Sequence, residues 1–534
     1  MSLRSSLRRA LRGRLLDGLV WLIALVTVGY VVCAPLLVAR YPMMTDLPFH
    51  AANASILRHY FDPSWHFQEQ FRPQLLAVPY LSFYLVAAVV MSFTSAVTAI
   101  KVATAVMLAC LPIGLAVLCR GMGKSPLLGV LGCMVVWGSL THWGFINYVG
   151  AIGLFALATG LAFLQLRRPR RRTAVGLFVA LAAVFFTHPF RFPFAIAAVV
   201  AAAILLYPST HRLRPVVMPV VGALFVFFAW WLVKPPMMET ELWSNLTFDA
   251  GRAREWLPSL YGSLSGPEEG RAVKRMLLQV ALLFVLFGGL RLLQGRERSR
   301  RARSFGWGAH GVVAGSALVF LAIYFTFPTV LGGWWYVWPR EATPALFLAL
   351  ALLPDLPRGR GFRLLFVGLA AGIVLPFTQL QVRAFARFDE ATKDFTAAME
   401  HLPHAPKLLY LVFDRSGAPT NRAVFMHLPA YVQAERGGWL SFHFADFGAT
   451  PMAYRPRDEP GAMVPPQVPV RWEWTPEVFD PKIHGAFFDW VLVRSKSNPS
   501  PLMFGDPSLQ LVAREGTWWI FHRERFLPMG GWHR

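Results

Sequence analysis

Apolar runs of close to 20 residues recur along the first 380 or so residues of the chain and stop near residue 385. Such a run matches the roughly 20 residues that a helix needs to cross a bilayer core, and a bilayer admits only helices or closed barrels as spanning structures. Charged residues make up 15% of the 534-residue chain, against about 25% in soluble domains. The expected architecture is mainly α. A polytopic helical membrane domain covers 1–384, with a first periplasmic loop at 40–75, and a small periplasmic α/β domain covers 385–534.

The formal charge of +23 does not point to nucleic acid, because the Arg and Lys residues stand in short clusters between apolar runs. Arg167 to Arg172 and Arg296 to Arg303 are two of them, and cytoplasmic loops carry this distribution. Arg4, Arg8, Arg9, Arg12 and Arg14 precede an apolar run from about Leu19 to Val38. That run exceeds the ~7–15 residues of a signal-peptide core and reads as a retained first span. With the N-terminus, both clusters, His211 to Arg214 and Arg358 to Arg363 in the cytoplasm, the later spans fall at 173–187, 190–207, 215–233, 277–293, 308–330, 342–354 and 363–380. Residues 75–119 and 126–166 are each long enough for two crossings, but parity requires one of them to cross once. The total is about eleven, an odd number, which places the tail in the periplasm of a bacterial inner membrane. Loops 40–75, 234–276 and 331–341 share its side. Cys33, Cys110, Cys119 and Cys133 lie in or beside apolar runs, so no disulfide framework or cysteine metal site is implied.

No Asp or Glu occurs between Glu69 and Glu239. Carboxylates inside a bilayer are costly and mark ion paths, so their absence argues against a proton-relay or cation-coupled transporter. The acids of the first 230 residues other than Asp17 are Asp46, Asp62 and Glu69, all in the first outer loop. There Thr45-Asp46-Leu47-Pro48-Phe49-His50 reads as a helix start, with a capping candidate, Pro in the first turn and a helical pattern to about Tyr60. On that helix Asp46, His50 and Asn53 share one face, while Phe49, Ala52, Ile56 and Tyr60 share another. The polar face is expected to look into a cavity and the apolar face to lie on the membrane. An acid and an imidazole one turn apart suit deprotonation of a hydroxyl, with either as base, or the holding of a divalent cation such as Mg or Mn. The plainer alternative is a capping acid beside an interfacial histidine.

Glu69, Arg72 and Gln74 follow just before the next span. The Arg72 guanidinium suits a two-point grip on phosphate, or simple anchoring among headgroups. His142, Asn147 and Tyr148 interrupt one apolar stretch and His188, Pro189 and Arg191 another, either as site groups or as satisfied turn residues. The segment from Gly332 to Glu341 is rich in aromatics, including Trp335. It reads as an interfacial belt or as a stacking platform for sugar, with Arg340 as a second phosphate contact. In the tail, 407–414, 489–494, and 509–512 paired with 518–522 read as strands. The tail has no phosphate-binding glycine loop and no Ser, His, Asp arrangement. His427, Tyr431, Glu435, Arg436, Gly437 and Gly438 form a polar cluster of structural or acceptor-contacting character.

This order of events resembles the GT-C superfamily of membrane glycosyltransferases, which includes the lipid A aminoarabinose transferases and the protein O-mannosyltransferases. In that family a first span leads into an outer loop with a catalytic acid near its start, many spans follow, and a soluble domain often closes the chain. Asp46 stands at the position of that acid. Asp46-Leu47-Pro48-Phe49-His50, Trp143-Gly144-Phe145-Ile146-Asn147-Tyr148, His427-Leu428-Pro429-Ala430-Tyr431 and Ala434-Glu435-Arg436-Gly437-Gly438 also resemble features of a group of uncharacterised bacterial membrane proteins. The resemblance implies sugar transfer from a polyprenyl-phosphate donor to a glycan, lipid or protein acceptor, with inversion at the anomeric carbon. Asp46 is then the expected base and His50 its partner or a metal ligand. Asn53, Glu69, Arg72, Asn147, His188, Trp335 and Arg340 are the expected substrate contacts. Many members bring a second acid from a later outer turn, whereas this chain offers none before Glu239, leaving His142, Asn147 or His188 for that place. The alternative is a non-enzymatic flippase or assembly subunit for lipid-linked polysaccharide. A flippase requires a polar path through the bilayer, but polarity here is concentrated at the outer surface, and Lys101 is one of few charges inside a span.

Overall fold

The computed structural model describes residues 3–75, 78–234, 246–294, 299–331, 334–447, 450–466, 474–480, 485–503 and 506–524. Parts of the expected loop 234–276, of the basic cluster at Arg296 to Arg303 and of the segment at Gly332 and Gly333 therefore lie outside the described residues. In chain order the helices begin with α1 (Leu3–Val38), α2 (Leu47–His59), α3 (Ser82–Met91), α4 (Ala96–Gly121), α5 (Ser139–Trp143), α6 (Ile146–Arg167), α7 (Arg171–Thr187) and α8 (Phe192–Thr210). They continue with α9 (Arg214–Val233), α10 (Trp256–Leu260), α11 (Glu268–Leu293), α12 (Arg300–Thr326), α13 (Ala342–Leu352), α14 (Arg360–Ala391), α15 (Lys393–Glu400) and α16 (Ala430–Arg436). The chain forms two compact units. Unit 1 comprises Met1–Val38, Pro79–Phe83 and Thr104–Ala384, and unit 2 comprises Ala39–Val78, Tyr84–Ala103 and Phe385–Arg534.

The helices of unit 1 join two ends. At one, Lys124 donates to the carbonyls of Ala351 and Leu353 (2.7 and 2.8 Å), Asp355 accepts from the Ser125 amide (2.8 Å), and Arg360 meets Asp17 (3.1 Å). Arg212 donates to the Arg167 carbonyl (3.0 Å) and Arg301 to that of Ser209 (2.6 Å) at the same end, where Gly123 lies beside the Arg167 side chain. At the other end the Leu81 amide donates to the Phe186 carbonyl (2.7 Å), Arg191 meets Glu341, and Arg252 donates to the Phe327 carbonyl (2.7 Å).

Among the described residues eight helices are long and apolar enough to cross a membrane: α1, α4, α6, α8, α9, α11, α12 and α14. About eleven spans were expected, and the difference lies in three shorter segments that run between the same two ends. They are the 3-10 helix Pro126–Val135, the 17-residue α7 and the 11-residue α13. The first and last are almost wholly buried in protein. Backbone surrounded by protein escapes the length and regularity that lipid imposes on an exposed span. Residues 126–166 thus supply two segments that run between these ends, and 75–119 supply one long helix beside the ten-residue α3. Glycines set the approach of α4 to α6: a Cβ on Gly153 would lie 2.2 Å from the Cys110 backbone, and one on Gly160 2.6 Å from the Val117 carbonyl oxygen. Small residues at such crossings let helix backbones meet.

Unit 2 carries a five-stranded sheet built from β4 (Lys407–Val412), β5 (Trp439–Leu440), β7 (Trp490–Arg494), β8 (Leu509–Glu515) and β9 (Trp518–Arg523), in the order β5-β4-β7-β9-β8. The remaining short strands pair β1 (Phe71–Pro73) with β6 (Met452–Tyr454), and, in unit 1, β2 (Val330–Leu331) with β3 (Trp334–Trp335). Interior β4 is buried on both faces, as its Leu-rich run requires, and runs parallel to both neighbours. Leu409, Leu411, Phe488, Val491, Val493 and Phe521 fill the core on one side. Helix α2 packs on α16. The apolar face of α2, expected on the membrane, is instead buried in protein. Phe49 lies against His427, Phe442, His443 and Phe444, and Ile56 joins Phe67, Phe71, Ala445 and Met452. Residues far along the chain supply the apolar surroundings that lipid was expected to give.

Candidate functional site

Helix α2 begins at the expected place, with Pro48 in its first turn. Asp46 occupies the N-cap position, but its side chain makes no capping hydrogen bond. Its carboxylate instead lies 3.1 Å from Nδ1 of His427, an ion-pair distance reached off the hydrogen-bond direction. Both groups are largely buried, with side-chain exposures of 16% and 5%. A carboxylate screened from bulk water and held against an imidazole is chemically suited to accept a proton from a hydroxyl.

One turn on, Nδ1 of His50 lies 2.7 Å from the Tyr84 hydroxyl, and the Asp46 charge acts on that same hydroxyl. Asn53 is fully buried. Its amide donates to the Phe49 carbonyl (3.0 Å), while its Oδ1 has no hydrogen-bond partner among the described residues. The neighbouring His443 accepts the Ala445 amide on Nδ1 (3.0 Å), and burial pushes its pKa down to about 3. Elsewhere in unit 2, Glu69 binds His66 (2.6 Å), and Arg72 stands exposed on β1, opposite Ala453 of β6.

In unit 1 the other expected contacts gather at one end of the helices. The Arg340 guanidinium lies 4.0 Å from the centre of the Phe145 ring and 5.7 Å from that of Tyr148. His188 meets the Tyr80 and Tyr148 rings edge-on at 5.2 and 5.1 Å. Burial, and then the Arg340 charge, lower the His188 pKa to about 3, so the ring is neutral at physiological pH. Asn147, in the first turn of α6, is buried with Oδ1 unpartnered among the described residues. Trp335 is 44% exposed and packs on Trp143 (5.0 Å) and Tyr336 (4.9 Å). An exposed indole beside a fixed cation and neutral hydrogen-bonding groups suits a polar, ring-shaped ligand with a negative charge.

The structure adds partners that sequence reasoning passed over. His427, whose sequence surroundings suggest a structural or acceptor-contacting residue, is the imidazole against Asp46. Tyr84 carried no signal beyond a phenol in an aliphatic run. Nη2 of Arg191 lies 2.6 Å from both Glu341 oxygens, with the guanidinium 4.4 Å from the Tyr148 ring centre, and nothing local links residues 150 apart. Burial raises the Glu341 pKa and the two neighbouring arginines oppose it. Among the described residues no three His, Cys, Asp or Glu side chains converge as a metal site. Asp46 and His427 supply two donors, which does not fit an ion held by protein groups alone.

The helical membrane fold with its small strand-containing C-terminal region is shared with solved structures of ArnT. The chain is similar in structure to ArnT from Cupriavidus metallidurans in the apo state, with a TM-score of 0.52 and 12% identity over 96% of this chain and 98% of that one. It is also similar to ArnT from the same organism bound to undecaprenyl phosphate, with a TM-score of 0.50 and 12% identity over 95% and 97% of the two chains. No protein-family model matches the sequence, and no curated protein matches it.

Proposed function

We propose that this protein is a GT-C-type glycosyltransferase that moves a sugar from a polyprenyl-phosphate donor to an envelope acceptor at the periplasmic face of a bacterial inner membrane. The observation that carries this reading is the likeness of fold over nearly the whole of both chains to ArnT, one structure of which holds undecaprenyl phosphate. The motif at Asp46 to His50 supports a place in the bacterial branch that shares it. In the proposed step Asp46 takes the proton of an acceptor hydroxyl as its oxygen bonds to the anomeric carbon. The bond from that carbon to the donor phosphate breaks, and its electron pair leaves with the phosphate. His427 holds the Asp46 carboxylate, and His50 with Tyr84 supplies a polar group one turn away. Arg72 and Arg340 are the proposed stabilisers of the departing phosphate, since a guanidinium presents paired donors where negative charge develops. Trp335 is proposed to stack on the sugar, with Asn53, Glu69, Asn147 and His188 as polar contacts.

The test compares wild type with Asp46→Asn, purified in detergent, for release of lipid phosphate from a panel of polyprenyl-phosphate sugars, with and without EDTA. General-base catalysis is worth on the order of 10²–10⁴-fold, and a loss of that size is expected in a variant that still elutes as folded protein. Unchanged turnover in folded Asp46→Asn would sink the mechanism. Turnover abolished by EDTA would add a divalent cation to it.

A further inference from the structure

At the end of unit 1 away from Arg340, a cavity of about 510 Å³ opens among the middle of α1, the start of α14 and the ends of α4, α11 and α13. That volume is within the roughly 300–1,000 Å³ of ordinary ligand pockets. Four cations line it, Lys124, Arg291, Arg358 and Arg363, against two carboxylates, Asp17 and Asp355.

The carboxylates are committed to the walls. Asp355 accepts the amides of Ser125 (2.8 Å) and Leu356 (2.9 Å) and meets Arg291 at 3.4 Å. Asp17 lies between Arg360 and Arg363 (3.1 and 3.8 Å). Lys124, 9% exposed, points at carbonyls beyond the end of α13, a place that favours a cation. Arg358 is exposed, and its guanidinium makes no ion pair among the described residues. The cavity thus keeps a net positive charge of two from the residues that line it, with one guanidinium outside any ion pair among the described residues.

Its rim is apolar on the side of α1. Trp21, which lines the cavity, is 45% exposed, and Leu22 and Leu25 beside it are 58% and 65% exposed on a helix apolar enough to span a membrane. A positive pocket that opens onto a lipid-facing surface, at the end carrying the basic clusters, meets headgroup and acyl chain together. Basic pockets between membrane helices take anionic headgroups for this reason.

We propose that this cavity binds the phosphate of an anionic phospholipid. The site is separate from the residues proposed for sugar transfer and stands whether or not that reading holds. The test offers the full-length protein in detergent equal amounts of phosphatidylglycerol and phosphatidylcholine and counts retained lipid by native mass spectrometry. Wild type is expected to prefer phosphatidylglycerol. Arg358→Glu is expected to cut that preference roughly fivefold or more, the worth of one cation facing a headgroup. Arg171→Glu, the same charge change at exposed α7 outside the cavity, is expected to leave it intact, and Arg363→Gln is a second variant within the cavity. Equal retention of the two lipids by wild type, or equal losses in Arg358→Glu and Arg171→Glu, would overturn the site. Inorganic phosphate added to lipid-free protein is the other arm. Thermal stabilisation by phosphate that Arg358→Glu abolishes would assign a soluble ligand and overturn the lipid.

Discussion

Two histidines of unit 2 do different work at the scale of single residues. His427 lies against Asp46 at 3.1 Å, so its loss is expected to loosen the carboxylate without removing it. His427→Gln should lower kcat about tenfold or more, less than Asp46→Asn, with KM little changed, because a general base acts in the transition state rather than in binding. Steady-state release of lipid phosphate measures this, and a rise in KM at constant kcat would make His427 a binding residue instead. His443 is a buried neutral imidazole with its pKa lowered to about 3. Between the unfolded value near 6.5 and about 3, the unfolded chain binds a proton that the folded chain refuses. Stability therefore rises with pH in that window, by up to about 1.4 kcal/mol per unit, and is fully present above it. His443→Asn keeps an acceptor for the Ala445 amide and removes the titration. Its melting temperature should fall less steeply than that of wild type between pH 6.5 and 4, and parallel curves would show that His443 is not the acid-sensitive group.

Among the helices, the crossing of α4 and α6 allows a sharp expectation, because a Cβ on Gly153 meets backbone at 2.2 Å and no side chain can turn aside. Gly153→Ala should cost about 1–3 kcal/mol or more as overpacking. Gly368→Ala, on exposed α14 with nothing within 4 Å, should instead gain roughly 0.5–1 kcal/mol from helix propensity. Thermal unfolding in detergent distinguishes them, and equal effects would mean that α4 and α6 pack less closely than described. Helix positions were legible in the sequence where charge bounded an apolar run, as at 215–233, observed as Arg214–Val233. Boundaries drifted where the helix outran its apolar run. The span expected at 277–293 starts at Glu268, because backbone hydrogen bonds continue through a charged first turn whose Glu269 is buried and accepts the Leu264 amide (2.9 Å). The apolar run at 126–135 carried no sign of its 3-10 geometry, since composition reports burial and not pitch. Periodicity placed Asp46, His50 and Asn53 on one helix. It is local information, and so it was silent on His427 and on the pairing of Arg191 with Glu341.

The traverses of unit 1 set a parity for the whole chain. Eight long helices and three short segments, eleven in all among the described residues, run between its two ends, so α14 arrives at the end opposite the start of α1. The ends differ in the number of their cations. Arg167 to Arg172, Arg212, Arg214, Arg300, Arg301, Arg358 and Arg360 gather where α1 starts. At the other end Arg191 is neutralised by Glu341, Arg252 is spent on the Tyr324 and Phe327 carbonyls, and Arg340 lies on Phe145, leaving Arg271, Lys274 and Arg275 exposed at the start of α11. Translocation retains loops rich in Lys and Arg in the cytoplasm. The start of α1 is therefore expected there, with the residues after Ala384 on the far side. Alkaline phosphatase fused after Arg534 should be active and a fluorescent protein at the same place dark, while Arg170→Cys should resist an impermeant maleimide in intact cells. A dark phosphatase fusion would mean the opposite orientation of the chain, since Asp46 and His427 share one side and hold the crossings after α1 to an even number. It would also place Asp46 on the side of the membrane where soluble nucleotide sugars occur, and a lipid-linked donor would no longer be required by location.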